Sequence, residues 1–485
     1  MSDMGLWIAA SGLNADTAEL NTASNNLSNI NTPGYVAERV DLSAYGASGP
    51  SGVGQGVEVG SVSRLINQVY QIANISAVGA QGAATSTNQI YGSIENIFPE
   101  PSSNGLASQL STLWSNISTL ATNPSEAGAQ QSVVGSAQAV ANNLNQSYSQ
   151  LMTLQSSLQS QIGSGSNDGG ELAQVNSLLS QVAKLNKGIV VGASGGNNVN
   201  ALLDQSNADV NQLASLMGIR TINEPNGTVS VYMNSIQLVF GDTAQRLVTT
   251  GSANTGDLGI TTNNGVTVTP SGQIGSQIAA INNTIPEYQQ QLNSVADALA
   301  TQLNSLQASG MAANGDPGSG IAGGYSGTIL PNIFVDNGSS TTYTASSSAV
   351  ASASTIAVSP TLLANNSLLA TAAAPSVTNS NVIGTPTLDG TNAQAMAALQ
   401  VASGGPNELY QTMIGQLGTQ ASSAKMASAT ADSLATAAAN NISQTSSVNM
   451  NTEELQVLAA QNAFSALGHV IDAINTSFQS LIQAV

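Results

Sequence analysis

The chain has no cysteine, one histidine (His469) and seven lysines and arginines in 485 residues. Each shortage removes a class of chemistry. Without thiols there is no disulfide framework, no thiolate nucleophile and no thiolate metal site. One imidazole cannot build a histidine metal cluster or a catalytic triad within one chain. Charged residues are only 7% of the sequence, and 26 acidic groups give a net charge of −19. That balance argues against nucleic acid or an anionic membrane as partner. Solubility must come from neutral polar groups. No run of about 18 apolar residues is present, so no membrane-spanning helix is expected. The N-terminal stretch lacks a basic region, and Met4–Ala10 is too interrupted for a signal-peptide core, so a cleaved secretory signal is not expected.

What is present is helical periodicity, strongest at the two ends. Leu6, Leu13, Leu20 and Leu27 recur every seven residues. Ala10, Thr17 and Ser24 fall four residues after the first three, completing a sparse 3-4 stripe. Asn31-Thr32-Pro33-Gly34 then places Pro at a turn's first central position and Gly where φ can be positive. At the other end Leu467, Ile471, Ile474, Phe478, Leu481 and Val485 form the best heptad of the chain. Two such helices, each about 40–50 Å long at 1.5 Å per residue, can pair antiparallel.

Between the ends the pattern changes several times. Gly52–Val59 reads as a tight turn entering a strand, with Val57, Val59 and Val62 alternating. Gly54-Gln55-Gly56 lacks the helix start of a phosphate loop. Helix is expected from about Leu65 to Met217. Its stripes include Leu106, Leu110, Leu113, Ile117 and Leu120, with Ser/Gly breaks at 163–170 and 192–200. Trp114 sits one residue off its stripe and is placed at a core edge. Residues 218–270 alternate (Val229, Val231, Met233; Ile236, Leu238, Phe240), predicting a small hairpin or sheet with a turn at Asn234-Ser235. A second long helix spans about Ile274–Leu306, with a kink or break expected at Pro286. Residues 310–391 are rich in Ser, Thr, Gly and Ala and read as a β-rich insertion.

The predicted fold is therefore mainly α with β insertions. Residues 1–35 and 448–485 are terminal coiled-coil helices, and 36–217, 271–309 and 392–447 make a helical bundle. Residues 218–270 and 310–391 are the two β-rich parts. No catalytic constellation is found. Glu453-Glu454 point about 100° apart on a helix and suit helix-start charge placement. Asp204 has no basic neighbour in sequence and suits the same role.

Asn25-Asn26-Leu27-Ser28-Asn29-Ile30-Asn31-Thr32-Pro33-Gly34-Tyr35, preceded by Ser11-Gly12-Leu13-Asn14-Ala15, resembles the N-terminal signature of bacterial flagellar axial proteins, the rod, hook and hook-associated components. The C-terminal heptad, introduced by Ser447-Val448-Asn449-Met450 and Glu453-Glu454-Leu455, resembles the other end of the same family. Asn200-Ala201-Leu202-Leu203-Asp204-Gln205 and Gly241-Asp242-Thr243-Ala244-Gln245-Arg246-Leu247 resemble segments of its hook–filament junction members.

The resemblance implies a secreted structural protein, not an enzyme, with no cofactor and no metal. It implies export by the flagellar type III apparatus with a chaperone, and a homo-oligomeric ring at the hook tip. Hook protein would lie below, with a second junction protein and the flagellin filament above. Terminal helices carrying the leucine and heptad residues named above would form the inner tube, mobile in the free monomer and ordered on assembly. Asn25, Asn26, Asn31, Pro33, Gly34 and Tyr35 would be the signature turn. Two other readings compete: another axial component, such as hook or distal rod protein, and a secreted adhesin or coiled-coil translocator acting through 310–391. A hydrolase in that insertion is disfavoured by its few acids and absent histidine.

Overall fold

The computed structural model describes residues 2–46, 54–163, 169–321, 327–336, 353–373, 383–385 and 387–483. Helix α1 (Ser2–Ser28) opens the chain. It stops seven residues before Tyr35. The Asn29 N–H still reaches the carbonyls of Asn25 and Asn26, and the Tyr35 N–H then closes a turn on the Thr32 carbonyl at 3.2 Å. Pro33 and Gly34 hold the two central positions, with Gly34 at φ 83°, as a type II turn requires. Strands β1 (Glu38–Ala44) and β2 (Val57–Arg64) form an antiparallel hairpin with Val40 opposite Val62.

Helix α2 (Gln68–Ile97) starts three residues later than its stripe suggests, because the Asn67 side chain caps the Val69 and Tyr70 N–H groups. Then come α3 (Leu106–Thr122), α4 (Ala127–Ile162), α5 (Gly170–Ser194) and α6 (Asn200–Met217). The α3 stripe is fully buried. Trp114 is buried with it, 1% exposed, and so is not a core edge. Its indole N–H donates to the Asn407 carboxamide oxygen at 2.9 Å, which allows a polar atom into that core.

Residues 218–270 hold two sheets rather than one hairpin. Strands β3 (Arg220–Asn223), β4 (Val229–Met233), β5 (Ile236–Phe240) and β6 (Thr243–Ala244) run as a four-stranded meander. Asn234, at φ 52°, makes the β4–β5 turn. Strands β7 (Leu247–Thr250), β8 (Gly259–Thr262) and β9 (Thr267–Val268) form a three-stranded sheet. The second long helix is α7 (Gln273–Ala279), a π turn (Ala280–Thr284) and α8 (Ile285–Ser309). Pro286, at the start of α8, has no N–H to give. Where a kink or break was expected, the helix carries this wider turn just before Pro286.

The described part of 310–391 holds β10 (Gly310–Ala312), β11 (Phe334–Asp336), β12 (Ile356–Val358), α9 (Pro360–Ala364) and β13 (Ala370–Ala373). β10 pairs with β13 and β11 with β12. Much of the predicted insertion lies outside the described residues. Helices α10 (Thr391–Ala398), α11 (Pro406–Ser446) and α12 (Met450–Gln483) close the chain.

One apolar core joins α2 through α11 and both sheets of 218–270. Ile285, Tyr288, Leu292, Val295 and Leu299 of α8 lie at its centre, each 0% exposed. The β segments are fastened to the helices by buried carboxamides. Asn186 of α5 donates to the Val229 and Gly241 carbonyls and accepts from the Val229 N–H. Asn304 of α8 accepts from the N–H groups of Ile333 and Phe334 and donates to the Phe334 carbonyl. Gln307 does the same for Leu368 and Ala370, and Gln155 of α4 donates to the Ala253 and Ile281 carbonyls. A carboxamide presents both a donor and an acceptor, so it matches the backbone of a short strand without burying charge.

Asn304→Ala removes three bonds and leaves buried backbone groups unpaired. It is expected to lower unfolding free energy by about 2–4 kcal/mol, measured by denaturant titration of near-ultraviolet circular dichroism. A loss under about 0.5 kcal/mol, typical of a surface change, would mean that the clamp does not hold β11.

Candidate assembly surface on the terminal helices

Helices α1 and α12 lie antiparallel, and glycines set how closely. A Cβ placed on Gly12 would sit 2.7 Å from Leu467 Cδ1, and one on Gly5 would sit 3.3 Å from Ile474 Cδ1. Gly5 and Gly12 are seven apart, and so are Leu467 and Ile474. Large side chains of one helix thus fill holes of the other. A periodicity read from side chains does not show this glycine heptad, because Gly5 and Gly12 act through the side chain they lack.

Leu6, Leu13, Leu20 and Leu27 of α1 are half-buried, as are Leu467, Ile471, Ile474 and Phe478 of α12. Leu481 lies in α12 but its side chain is not described, and Val485 falls outside the described residues. Two helices alone can cover only the seam between them. Large apolar side chains therefore remain in water, among them Trp7, Leu455 at 66% exposure and Ile482 at 73%. By length and composition, one 18-residue window between Thr391 and Ser480 is apolar enough to cross a membrane. Within that stretch, Gln456, Gln461, Asn462, His469 and Asp472 interrupt α12. The hairpin, assigned from sequence to the bundle, leans on α1 instead. Trp7 packs edge-on against Tyr45 at 5.2 Å, and the Val57 N–H donates to the Ser11 hydroxyl at 3.2 Å.

The signature turn sits at the base of this pair. Asn26 is 0% exposed. Its carboxamide donates to the Glu38 carbonyl and accepts from the Glu38 N–H, both at 2.9 Å, and from the Tyr35 hydroxyl at 2.8 Å. Asn25 donates to the Tyr35 hydroxyl at 3.2 Å. Asn31, Pro33 and Gly34 are exposed and shape the chain without gripping anything buried. Asp204 does not serve as a helix-start charge. It lies within α6, accepts from the Val36 N–H at 3.3 Å and pairs with Arg64 of β2. Glu453, in the first turn of α12, is buried nearby at 6% exposure. Burial, together with the carboxylates of Glu38, Asp204 and Glu453, pushes the Tyr35 phenol far above its ordinary range. Burial also pushes the Asp204 carboxyl up, against the opposing pull of Arg64. Among the described residues no group of three or more His, Asp and Glu could hold a metal ion.

The chain is similar to known proteins. Residues 91–321 match the family described as "Flagellar hook-associated protein FlgK helical domain", and residues 6–35 match "Flagella basal body rod protein". The chain is 25% identical to flagellar hook-associated protein 1 of Escherichia coli strain K12, over 98% of both chains. It is 28% identical to flagellar hook-associated protein 1 of Bacillus subtilis strain 168, over 46% of this chain and 45% of that one. With that of Salmonella typhimurium strain LT2 it shares 29% identity, over 50% and 44%. Among solved structures it is similar to the flagellar hook junction protein FlgK from Burkholderia pseudomallei, with a TM-score of 0.58. That likeness covers 77% of this chain and 99% of that one at 18% identity. At that identity it is a likeness of fold.

Two outcomes are expected. Gly12→Leu should force the helices apart at an overpacking cost of about 1–3 kcal/mol, while Gly12→Leu with Leu467→Gly moves the hole and restores the pair. Helicity by circular dichroism and incorporation into flagella measure both, and equal behaviour of single and double variants would contradict the seam. The second outcome concerns pH. Burial raises the carboxyls of Asp16, Glu171, Asp204 and Asp209. Such groups favour the folded state below their unfolded pKa, and that contribution is lost as pH rises through the folded value. Asp257 and Asp389, near the surface, are lowered and act oppositely. The melting temperature should therefore rise as pH falls from about 7 to about 5, above the ordinary carboxylate range. A calorimetric scan in which it falls over that interval contradicts the assignment.

Proposed function

We infer that the chain, as a member of the flagellar hook-associated protein 1 family, is a structural component of the bacterial flagellum at the junction between hook and filament. It is exported to that site and contacts the hook on one side and the filament on the other. The observation that carries this reading is the pair α1–α12. Both ends of the chain meet in one antiparallel seam, glycine-tight on one side and apolar in water on the other. Other subunits complete such a surface. The subunits close as a homo-oligomeric ring at the hook tip. The leucines of α1 and the heptad of α12 face neighbouring copies, and a second junction protein with flagellin builds above.

Several features support each step. No cysteine can mispair between a reducing cytosol and the exterior. With charged residues only 7% of the chain, little electrostatic network must be dismantled for unfolded export. A type III chaperone covers the apolar termini before assembly. The helical domain matched at 91–321 favours a junction component over a hook protein, whose middle is mostly β. The chain acts by packing and not by catalysis.

Cells lacking the chain should make hooks without filaments and shed flagellin into the medium. Complementation with a chain cut before Val470 should supply a folded protein that stays out of the flagellum. Electron microscopy and immunoblotting of the medium read both. Attached filaments in the deletion strain, or normal swimming with the truncated chain, would overturn the assignment.

A further inference from the structure

Two units meet at the base of the terminal pair. One comprises α1, β1, β2 and α12, and the other runs from α2 to α11. The continuous apolar core of the second unit takes its members from Ile75 to Leu417, and no residue of the first unit belongs to it. The first unit keeps its own small buried set, including Ala9, Ala15, Ala23, Val36, Ala37 and Val40. Four polar contacts join the units. The Ala37 N–H donates to the Ser446 carbonyl at 2.8 Å, and the Asn200 carboxamide donates to the Val62 carbonyl at 2.9 Å. The Val36 N–H donates to Asp204, and Arg64 pairs with Asp204. Three of these contacts fall on the first two turns of α6.

Arg64 stands apart from Arg39 and Lys187. Three ion pairs are formed among the described residues. In Arg39–Asp41 and Lys187–Asp242 the side chains are 43–69% exposed and the charges 3.8 and 3.9 Å apart. In Arg64–Asp204 the side chains are 8% and 14% exposed, and the charges are 2.5 Å apart. Exposed pairs contribute almost nothing to position, whereas a buried pair resists separation because each partner alone would be a bare charge in a poor solvent. The guanidinium also faces the negative field of Glu38. With Glu38, Asp204 and Glu453 gathered around Tyr35, Arg64 is the cation that offsets a concentration of acid.

We propose that the Arg64–Asp204 pair is the pin of a hinge between these two units. It fixes the angle at which the terminal helices leave the body, and its loss frees that angle while each unit stays folded. Arg64 is a positioning residue in this device. Covalently the units are joined by two short links, Leu65–Asn67 and Ser447–Asn449, and no shared apolar core opposes their rotation. The two sides of the pair are not equivalent. Without the guanidinium, Asp204 and Glu38 are left facing one another. Without the Asp204 charge, Arg64 still has Glu38. The hinge is a property of the single chain and does not depend on the assembly reading.

The absence of cysteine makes the test direct. Spin labels at Ser43→Cys on β1 and Ser433→Cys on α11 report the angle as a distance distribution by double electron–electron resonance. The Trp7→Phe background leaves Trp114 as the reporter of the body. In the parent chain the distribution should be single and narrow. Arg64→Gln should broaden it by about twofold or more, because it unpairs a buried charge, and Asp204→Asn should broaden it less. The Trp114 unfolding transition should stay within about 2 °C in all three. Equal widths in all chains overturn the proposal, as does a parent as broad as Arg64→Gln. A Trp114 transition that falls together with the broadening also overturns it, since the pair would then belong to the fold of the body.

Discussion

The hydrogen bond from a buried carboxamide to a strand's backbone is the contact on which the body depends. A chain with so few charges cannot fasten its excursions with ion pairs, and its strands are too short to hold themselves. β6 and β9 have two residues each, and β10, β11 and β12 three. From the helices Asn186 fastens β4, Asn304 fastens β11 and Gln307 fastens β13, while Gln155 holds the loop at Ala253. Asn282 does so for Leu258, and Asn392 for Ala370. Each bond costs no burial of charge and does not titrate. The composition that looks poor by ordinary measures is therefore the one that this architecture uses.

The terminal unit follows a different rule. It has one amide clamp, Asn26 on Glu38 of β1, and lacks the deep core of the body. Two helices bury one seam, glycines bring them close, and the remaining apolar face stays in water. An exposed apolar face of this kind marks an interaction site. The one buried ion pair of the described chain lies where this unit meets the body. Rigidity thus resides in the body, and under the two proposals above completion comes from neighbouring copies and direction from the joint.

Sequence periodicity made the long helices legible because each buries a wide stripe, as Leu106, Leu110, Leu113, Ile117 and Leu120 do in α3. It failed at Trp114, since a stripe's edge is only one residue wide and its indole partner, Asn407, is 293 positions away. Strands of two or three residues carry too little alternation to be seen. The kink or break expected at Pro286 takes the form of a π turn, Ala280–Thr284, whose exact place no local pattern marks. At the candidate surface the leucines were visible and the holes were not, as Gly5 and Gly12 contribute by what they lack. Arg64 and Asp204 are 140 residues apart in number, and nothing local in either segment announces the other. The turn residues were legible as a set, but only the fold separates Asn26 and Tyr35, which grip, from Asn31 and Pro33, which shape.

Hydrogen exchange by mass spectrometry, on the free chain and on the same chain in isolated hook–filament junctions, tests the central claim most directly. If neighbours complete the terminal pair, peptides from α1 and α12 exchange faster than those from α4 and α8 in the free chain. In the assembled junction their protection rises to the level of the body, while the body itself changes little. Terminal helices equally protected in both states would contradict the account, as would protection gained across the body and not at the ends.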